Sequence, residues 1–318
     1  MIDRSEWITT RELAIVRSVI YASLFDYPLT LDQLHQTLIE SEQTPEEILA
    51  VYDGSDLVQA IIDYRDGFFF PAGRPELVAE RVRREQRSRE FLTRHASLVR
   101  LLCALPFTRM VALSGSVAHL NLVEGGDLDL FIVTRGSRVW TVTLAAIALT
   151  RLLGQRQVIC ANFVMADSHL RLEQQDLFAA NQVIHLKPII GGDLMAEFAA
   201  ANPFVRRLYP NAAAPQRPPV VGAPGRAAAA IKRTIEVLLH LPAPIIETVC
   251  RRIYVWHLGR RAASWRSPEQ VQLRSDYLKL HTRSHRQTVM DRFEAEVNQA
   301  IVRAERALVR PAAAAGRH

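Results

Sequence analysis

The hydrophobic residues at the start of the chain recur at helical spacing. A run of residues three or four positions apart predicts a first helix and consists of Leu13, Val16, Ile20 and Leu24. Thr30 and Thr44 are typical N-caps and predict two more helices, and Asp56 begins a segment that either extends the third helix or forms a short fourth one. Apolar residues on both sides of Asp66-Gly67 predict a β-hairpin, because this dipeptide favours a two-residue turn. Short helices followed by a hairpin are typical of a winged-helix domain.

The pattern then changes to one long polar helix. Residues 76–102 predict this helix, in which arginines are interleaved with glutamates. Pairs of opposite charge four residues apart stabilise an exposed helix. We interpret the segment as a solvated helix, and a surface that binds RNA or phosphate is the alternative.

Apolar runs of strand length and of helix length alternate after residue 105. The runs that predict strands are Thr108–Leu113, Asp127–Val133 and Gln157–Met165. The runs that predict helices between them are Val117–Leu122 and Val139–Leu153. This order predicts a small mixed α/β unit built on one sheet.

From residue 201 onwards the pattern predicts helices only. After a Pro- and Ala-rich stretch that we interpret as a linker or a draped loop, the predicted helices are Ala227–Leu241, Pro244–Trp256, Ser267–Ser284 and Thr288–Val309. We therefore predict an α+β protein with four parts. They are a winged-helix domain (1–74), a connecting long helix (75–105), a central mixed sheet with helices (106–200) and a helical domain (201–318).

The composition is that of a globular protein with a real core. Hydrophobic residues make up 49% of the 318 residues and charged residues 23%, which excludes extensive disorder. No apolar segment is long enough to cross a membrane, and the mixed-charge start does not resemble a secretory signal. Three scattered cysteines, Cys103, Cys160 and Cys250, form neither a disulfide framework nor a zinc motif, so we expect a cytoplasmic protein.

The net charge is +6, and the charged residues are distributed unevenly along the chain. Between Arg17 and Arg65 there are nine acidic residues and no lysine or arginine, whereas residues 201–318 contain 20 basic and 8 acidic residues. DNA binding depends on cations that neutralise phosphates, so the acidic winged helix argues against DNA binding and favours a protein-docking or structural role. The basic C-terminal region favours an RNA or protein partner.

Two short motifs carry the candidate chemistry. Asp127 and Asp129 lie two residues apart at the start of a predicted strand, so their carboxylates share one face and are suited to hold Mg²⁺. Gly115-Ser116 follows another strand, where backbone N–H groups and a hydroxyl can cradle a phosphate. A metal beside a phosphate cradle is the arrangement that phosphoryl or nucleotidyl transfer requires.

Together these motifs are similar to a known signature. Gly115-Ser116, ten intervening residues and Asp127-Leu128-Asp129-Leu130 resemble the motif of the DNA polymerase beta-like nucleotidyltransferase superfamily. The whole chain looks like bacterial nucleotidyltransferase domain-containing proteins with an N-terminal winged helix. The resemblance implies that Asp127 and Asp129 bind Mg²⁺ or Mn²⁺ and that Gly115 and Ser116 bind an NTP, with ATP favoured. It also implies a hydroxyl acceptor, which can be an RNA end, a protein side chain or a small molecule.

The third metal-ligand position departs from the family pattern. The family carries a further acid on a later strand, and the matching strand here places Asn162 there, while Asp167 lies just beyond it. An amide oxygen can ligate Mg²⁺ but brings no charge and cannot act as a base. A catalytically weakened nucleotide-binding regulator or scaffold is therefore the alternative to an active transferase, and a nucleic-acid-binding regulator is a third reading. Lys187 and Lys279 are either solvated or reach triphosphate oxygens.

Overall fold

The computed structural model describes residues 8–214, 218, 221–260, 263, 265, 271–280 and 286–315, without the side chains of residues 161–162 and 310–315. In this part of the chain, the protein is a mixed helix and sheet structure with 13 helices, a three-stranded sheet and a six-stranded sheet. None of the described helices combines the length and apolar character that a membrane span requires.

The N-terminal unit, residues 9–71, contains four helices and the three-stranded sheet. Its elements are α1 (Thr10–Ser23), β1 (Leu29–Thr30), α2 (Leu31–Gln36), α3 (Pro45–Gly54), α4 (Asp56–Ile61), β2 (Ile62–Arg65) and β3 (Phe68–Pro71). Capping boxes at Thr9, Thr30 and Thr44 begin the first three helices, since each hydroxyl accepts a hydrogen bond from the backbone three residues later. The predicted hairpin is confirmed: β2 and β3 pair antiparallel around Asp66 and Gly67, both with positive φ.

One long helix leads into the central sheet. The elements from here to residue 208 are α5 (Glu76–Cys103), β4 (Thr108–Ser114), α6 (Gly115–Ala118), β5 (Leu128–Thr134), α7 (Val139–Leu152), β6 (Ile159–Ala166), α8 (Leu177–Ile184), β7 (Lys187–Ile190), α9 (Leu194–Ala201) and α10 (Phe204–Leu208). The three predicted strands are confirmed, and the helix expected over Val117–Leu122 is instead the single turn α6. Strand β4 pairs antiparallel with β5 and β7, whereas β5 and β6 are parallel.

The C-terminal region contributes helices and also two strands. Its elements are α11 (Arg226–Leu238), α12 (Ala243–Gly259), β8 (Val271–Leu273), β9 (Tyr277–Leu280) and α13 (Arg286–Ala315). The helix predicted over Ser267–Ser284 is wrong in its described part, so this region is not helical throughout. Strand β9 pairs with the open edge of β6, and the large sheet therefore has the order β7-β4-β5-β6-β9-β8. This pairing satisfies the backbone groups at the edge of β6 and buries Tyr277 and Leu278.

The large sheet separates two hydrophobic cores. Met110 and Phe131 on one face pack in a core with residues of α1, α8 and α13. Val111 and Ile132 on the other face pack in a core with residues of α5, α7 and α12. Consecutive residues of one strand thus enter different cores, which fixes the faces of β4 and β5. The polar ends of the two strands lie at the same end of the sheet.

Candidate functional site

The adjoining ends of β5 and β6 bring together Asp127, Asp129 and Cys160. Strands β5 and β6 run parallel with Asp129 in register with Cys160, and Asp127 lies directly before β5. One ligand atom from each of the three side chains lies within 4.8 Å of the other two, and all three residues are half-buried. The two carboxylates expected to converge therefore do so, and we call the three residues the Asp-Asp-Cys cluster.

Gly115 packs directly against the Asp129 carboxylate. Strand β4 places Ser114 opposite Asp129, and the chain then turns into α6 through Gly115 with a φ of +63°. A Cβ at position 115 would lie 2.2 Å from Oδ2 of Asp129, so a larger residue would displace the carboxylate. The absence of a side chain at Gly115 thus leaves room for this carboxylate, and its role in admitting a phosphate stays a prediction.

Ser116, the second residue of the predicted phosphate cradle, lies in α6 directly after Gly115. Its carbonyl oxygen accepts a hydrogen bond from the Asn121 N–H at 2.8 Å. Ser116 does not line the cavity beside Asp129, whereas Ser114 and Gly115 do. Ser114, in register with Asp129, is therefore the serine of this turn that lines the cavity.

Cys160 lies beside the two carboxylates, while the assignment of Asn162 to the third metal-ligand position stays a prediction. The predicted ligand, Asn162, is a residue of β6, but its side chain is outside the described part of the structure. Between the pairs Asp129–Cys160 and Phe131–Phe163, β6 contains one residue more than β5. Such a bulge breaks the alternation of side chains between the faces of a sheet. Counting from the sequence alone therefore could not identify which residue of β6 lies beside Asp129.

Asp167, the other residue considered for the third position, lies at the far end of the sheet. Its backbone N–H donates to the Thr134 carbonyl oxygen, and Thr134 lies five residues beyond Asp129, about 17 Å in an extended strand. Its carboxylate accepts hydrogen bonds from the Gly136 N–H at 2.8 Å and from Arg109 at 3.1 Å. Asp167 therefore stabilises a turn and takes no part in the Asp-Asp-Cys cluster.

A cavity of about 80 Å³ lies beside Asp129, and one lysine lines it. We call it the Asp129 cavity; helix α8 closes it with Val183, and β9 contributes Tyr277 and Lys279. Lys279 is only 6% exposed and donates a hydrogen bond to Gln174. Burial, followed by the positive charge of Arg286, lowers the pKa of Lys279 to about 8. The sequence leaves open whether Lys279 is solvated or reaches triphosphate oxygens, because a single lysine is usually solvated; the structure places it in this cavity.

The Asp-Asp-Cys cluster fits a hard divalent cation through its carboxylates. Mg²⁺ is commonly bound by one or two carboxylates together with substrate phosphates, and Asp127 and Asp129 match that donor set. A thiolate prefers softer metals such as Zn²⁺, so Cys160 is not a ligand that Mg²⁺ or Mn²⁺ would select. The pair of carboxylates is therefore the part of the cluster that can hold Mg²⁺ or Mn²⁺.

Comparison of the chain with known proteins gives no match that bears on this geometry. No family model, no curated protein and no solved structure matches the chain. The function proposed for the protein therefore depends on the positions and contacts of its own residues.

Proposed function

We propose that the protein is a Mg²⁺-dependent nucleotidyltransferase, which moves a nucleoside monophosphate from an NTP to a hydroxyl acceptor. The observation that carries this proposal is the packing of Gly115 against the Asp129 carboxylate with Asp127 within 4.8 Å. In this proposal the central sheet is a nucleotidyltransferase fold and the N-terminal unit is a winged helix. ATP is the favoured donor, and Mn²⁺ is an alternative to Mg²⁺.

Each residue of the site has a distinct role in this reaction. Asp127 and Asp129 would hold the cation, which when bound neutralises charge on the phosphate oxygens. Gly115 fixes the position of the Asp129 carboxylate, because only a residue without a side chain leaves room for it. Lys279 offers a positive charge in the Asp129 cavity, where a bound anion would raise its pKa again. The acceptor hydroxyl gives up its proton to solvent as its oxygen bonds to the α-phosphorus, the bond from the α-phosphorus to the bridging oxygen of the β-phosphate breaks, and pyrophosphate leaves.

The test is nucleotide binding and transfer by a variant that lacks both carboxylates. Asp127→Asn combined with Asp129→Asn is expected to lower Mg²⁺-dependent ATP affinity at least about tenfold, because two cation ligands are lost. Calorimetric titration measures the affinity, and ATP labelled at its α-phosphate, added with cell lysate, reports transfer and the acceptor. Asp53→Asn combined with Asp193→Asn removes the same charge from exposed positions and serves as the control. Equal ATP affinity in the two double variants would contradict the proposal.

A nucleotide-binding regulator or scaffold without transferase activity is the second candidate. Two observations favour it: the sequence has Asn162 where the family carries an acid, and the thiol of Cys160 beside the two carboxylates supplies no oxygen ligand. The same experiment separates the candidates. Mg²⁺-dependent ATP binding without transfer of label to any lysate component supports the regulator, and transfer supports the enzyme.

The proposed partners follow from the charges of the chain. The acceptor is an RNA end, a protein side chain or a small molecule, and the basic residues after position 201 favour an RNA or protein partner there. The acidic N-terminal unit argues against DNA binding, since it has few cations to replace the counterions of DNA. A cytoplasmic location completes the proposal.

A further inference from the structure

A second and larger cavity lies between the N-terminal unit, α5 and the central sheet. Its volume is about 420 Å³, which is in the range of small-molecule sites. It shares no lining residue with the Asp129 cavity. Its polar and aromatic lining includes Tyr27, Gln33, Arg81, His119, His185 and Lys187. We call it the Arg81 cavity.

Arg81 is a buried cation without an ion pair of its own among the described residues. Its side chain belongs to α5, the residue is 5% exposed, and the guanidinium carbon lies 3.6 Å from the centre of the Tyr27 ring. Nε and Nη1 have no hydrogen-bond partner. The acid that interacts with it electrostatically, Glu85, is already paired with Arg89 at 2.6 Å. A buried guanidinium is normally paired with an anion. The arrangement around Arg81 therefore favours the binding of an anion in the cavity.

The lysine and the two histidines that line the cavity also favour the binding of an anion. Lys187 of β7 is half-buried, its ammonium group forms no hydrogen bond or ion pair with any described residue, and burial lowers its pKa. The rings of His119 and His185 are 4.8 Å apart, and Nδ1 of His119 has no hydrogen-bond partner. Burial and the neighbouring cations lower the pKa of both histidines, that of His185 to about 4. Besides the ion pair of Glu85 and Arg89, which also lines the cavity, four basic groups thus face it, and burial opposes the positive charge of each.

We propose that the Arg81 cavity binds a phosphorylated small molecule, with its phosphoryl group between Arg81 and Lys187. A phosphoryl group brings two negative charges and three acceptor oxygens, which match one planar guanidinium, one ammonium and the histidine nitrogens. A singly charged carboxylate would leave part of this positive charge uncompensated. The aromatic lining and the volume of the cavity leave room for an organic group attached to the phosphate. The inference does not depend on the proposed transferase activity, because no residue of the Asp-Asp-Cys cluster takes part.

The test measures binding of inorganic phosphate and ribose 5-phosphate to the full chain by calorimetry in the presence of a metal chelator. Wild type is expected to bind both at millimolar concentration or below, with ribose 5-phosphate tighter, and to bind ribose and acetate not at all. The Asp127→Asn and Asp129→Asn double variant should bind like wild type, so that a failure of the transferase proposal does not affect the result.

Lys187→Met is the decisive variant, because Lys187 is half-buried and its loss leaves the Tyr27–Arg81 stack in place. It should weaken phosphate binding at least about tenfold, the effect of losing one charged hydrogen bond. Arg94→Met removes the same charge from an exposed position of α5 and should change nothing. Phosphate is also expected to raise the melting temperature of wild type, and Arg81→Met should abolish this rise. Absence of phosphate binding in wild type, acetate binding as tight as phosphate, or equal affinity in Lys187→Met and Arg94→Met would each overturn the proposal.

Discussion

At the scale of single residues, Gly115 connects the fold to the chemistry. Its positive φ and the 2.2 Å approach of Asp129 Oδ2 to a Cβ built at this position both exclude a side chain. Gly115→Ala is expected to displace the carboxylate, to lower Mg²⁺-dependent ATP affinity and to destabilise the protein by about 1–3 kcal/mol. Calorimetric titration and urea denaturation measure the two effects.

Gly73 is the matched control for this substitution. It has a φ of +80°, and nothing lies within 4 Å of a Cβ at its position, so Gly73→Ala imposes backbone strain without a collision. The control should therefore lose stability but retain full ATP affinity. If Gly115→Ala binds ATP as tightly as Gly73→Ala does, the position of the Asp129 carboxylate is irrelevant to nucleotide binding.

The sequence predicted the carboxylates but not their third partner. Asp127, Asp129 and Gly115 were identified because their spacing and their place at strand ends are local features. Cys160 was not, because its position beside Asp129 depends on the register of β6 against β5 and on a bulge within β6. The Arg81 cavity was also missed, since its residues come from elements that only the tertiary fold brings together.

At the scale of elements, the start of α7 depends on another helix. Arg138, its N-cap residue, forms no side-chain cap hydrogen bond. Glu247 of α12, which is 9% exposed, instead accepts hydrogen bonds from the N–H groups of Trp140 and Thr141, both at 2.8 Å. The carboxylate thus satisfies two buried donors and lies at the positive end of the helix dipole.

Glu247→Ala tests this interaction between α12 and α7. The substitution leaves both N–H groups without a partner and is expected to destabilise the protein by about 3 kcal/mol. Glu247→Gln should cost less, since an amide oxygen still accepts one hydrogen bond. Glu296→Ala, which removes an exposed partner of Arg292 on α13, is the control and should cost less than about 1 kcal/mol. Urea denaturation that shows equal losses for the two alanine variants would contradict the capping role.

Elements with local signals were predicted well, and those without them were not. The helices that begin with Thr-based capping boxes and the Asp66-Gly67 hairpin were found because a few adjacent residues determine them. The β8–β9 hairpin was predicted to be a helix, because its strands are short and no glycine marks its turn. Its pairing with β6, a contact far away in sequence, decides its structure and overrides local propensity.

At the scale of the whole molecule, the last helix, α13, packs in the same hydrophobic core as the first helix, α1. The hydrophobic pattern predicts the N-terminal and C-terminal regions as separate parts of the chain, and Phe293 of α13 is fully buried against the N-terminal unit. Its ring meets that of Tyr21 edge-on at 5.2 Å, and the Arg17 guanidinium lies 5.7 Å from its centre. The same core continues to Phe131 of β5, so the N-terminal unit, α13 and the central sheet share one hydrophobic interior.

Phe293→Ala therefore tests whether the two ends of the chain fold together. Truncation of a fully buried Phe removes its transfer energy and opens a cavity, so we expect a loss of about 3–5 kcal/mol. Because the core is shared, urea denaturation should remain a single transition when it is followed both by tryptophan fluorescence and by circular dichroism. Arg292→Ala, at the exposed neighbouring position, should leave the midpoint nearly unchanged. A small loss in Phe293→Ala, or an early transition limited to part of the protein, would show that the N-terminal unit folds without α13.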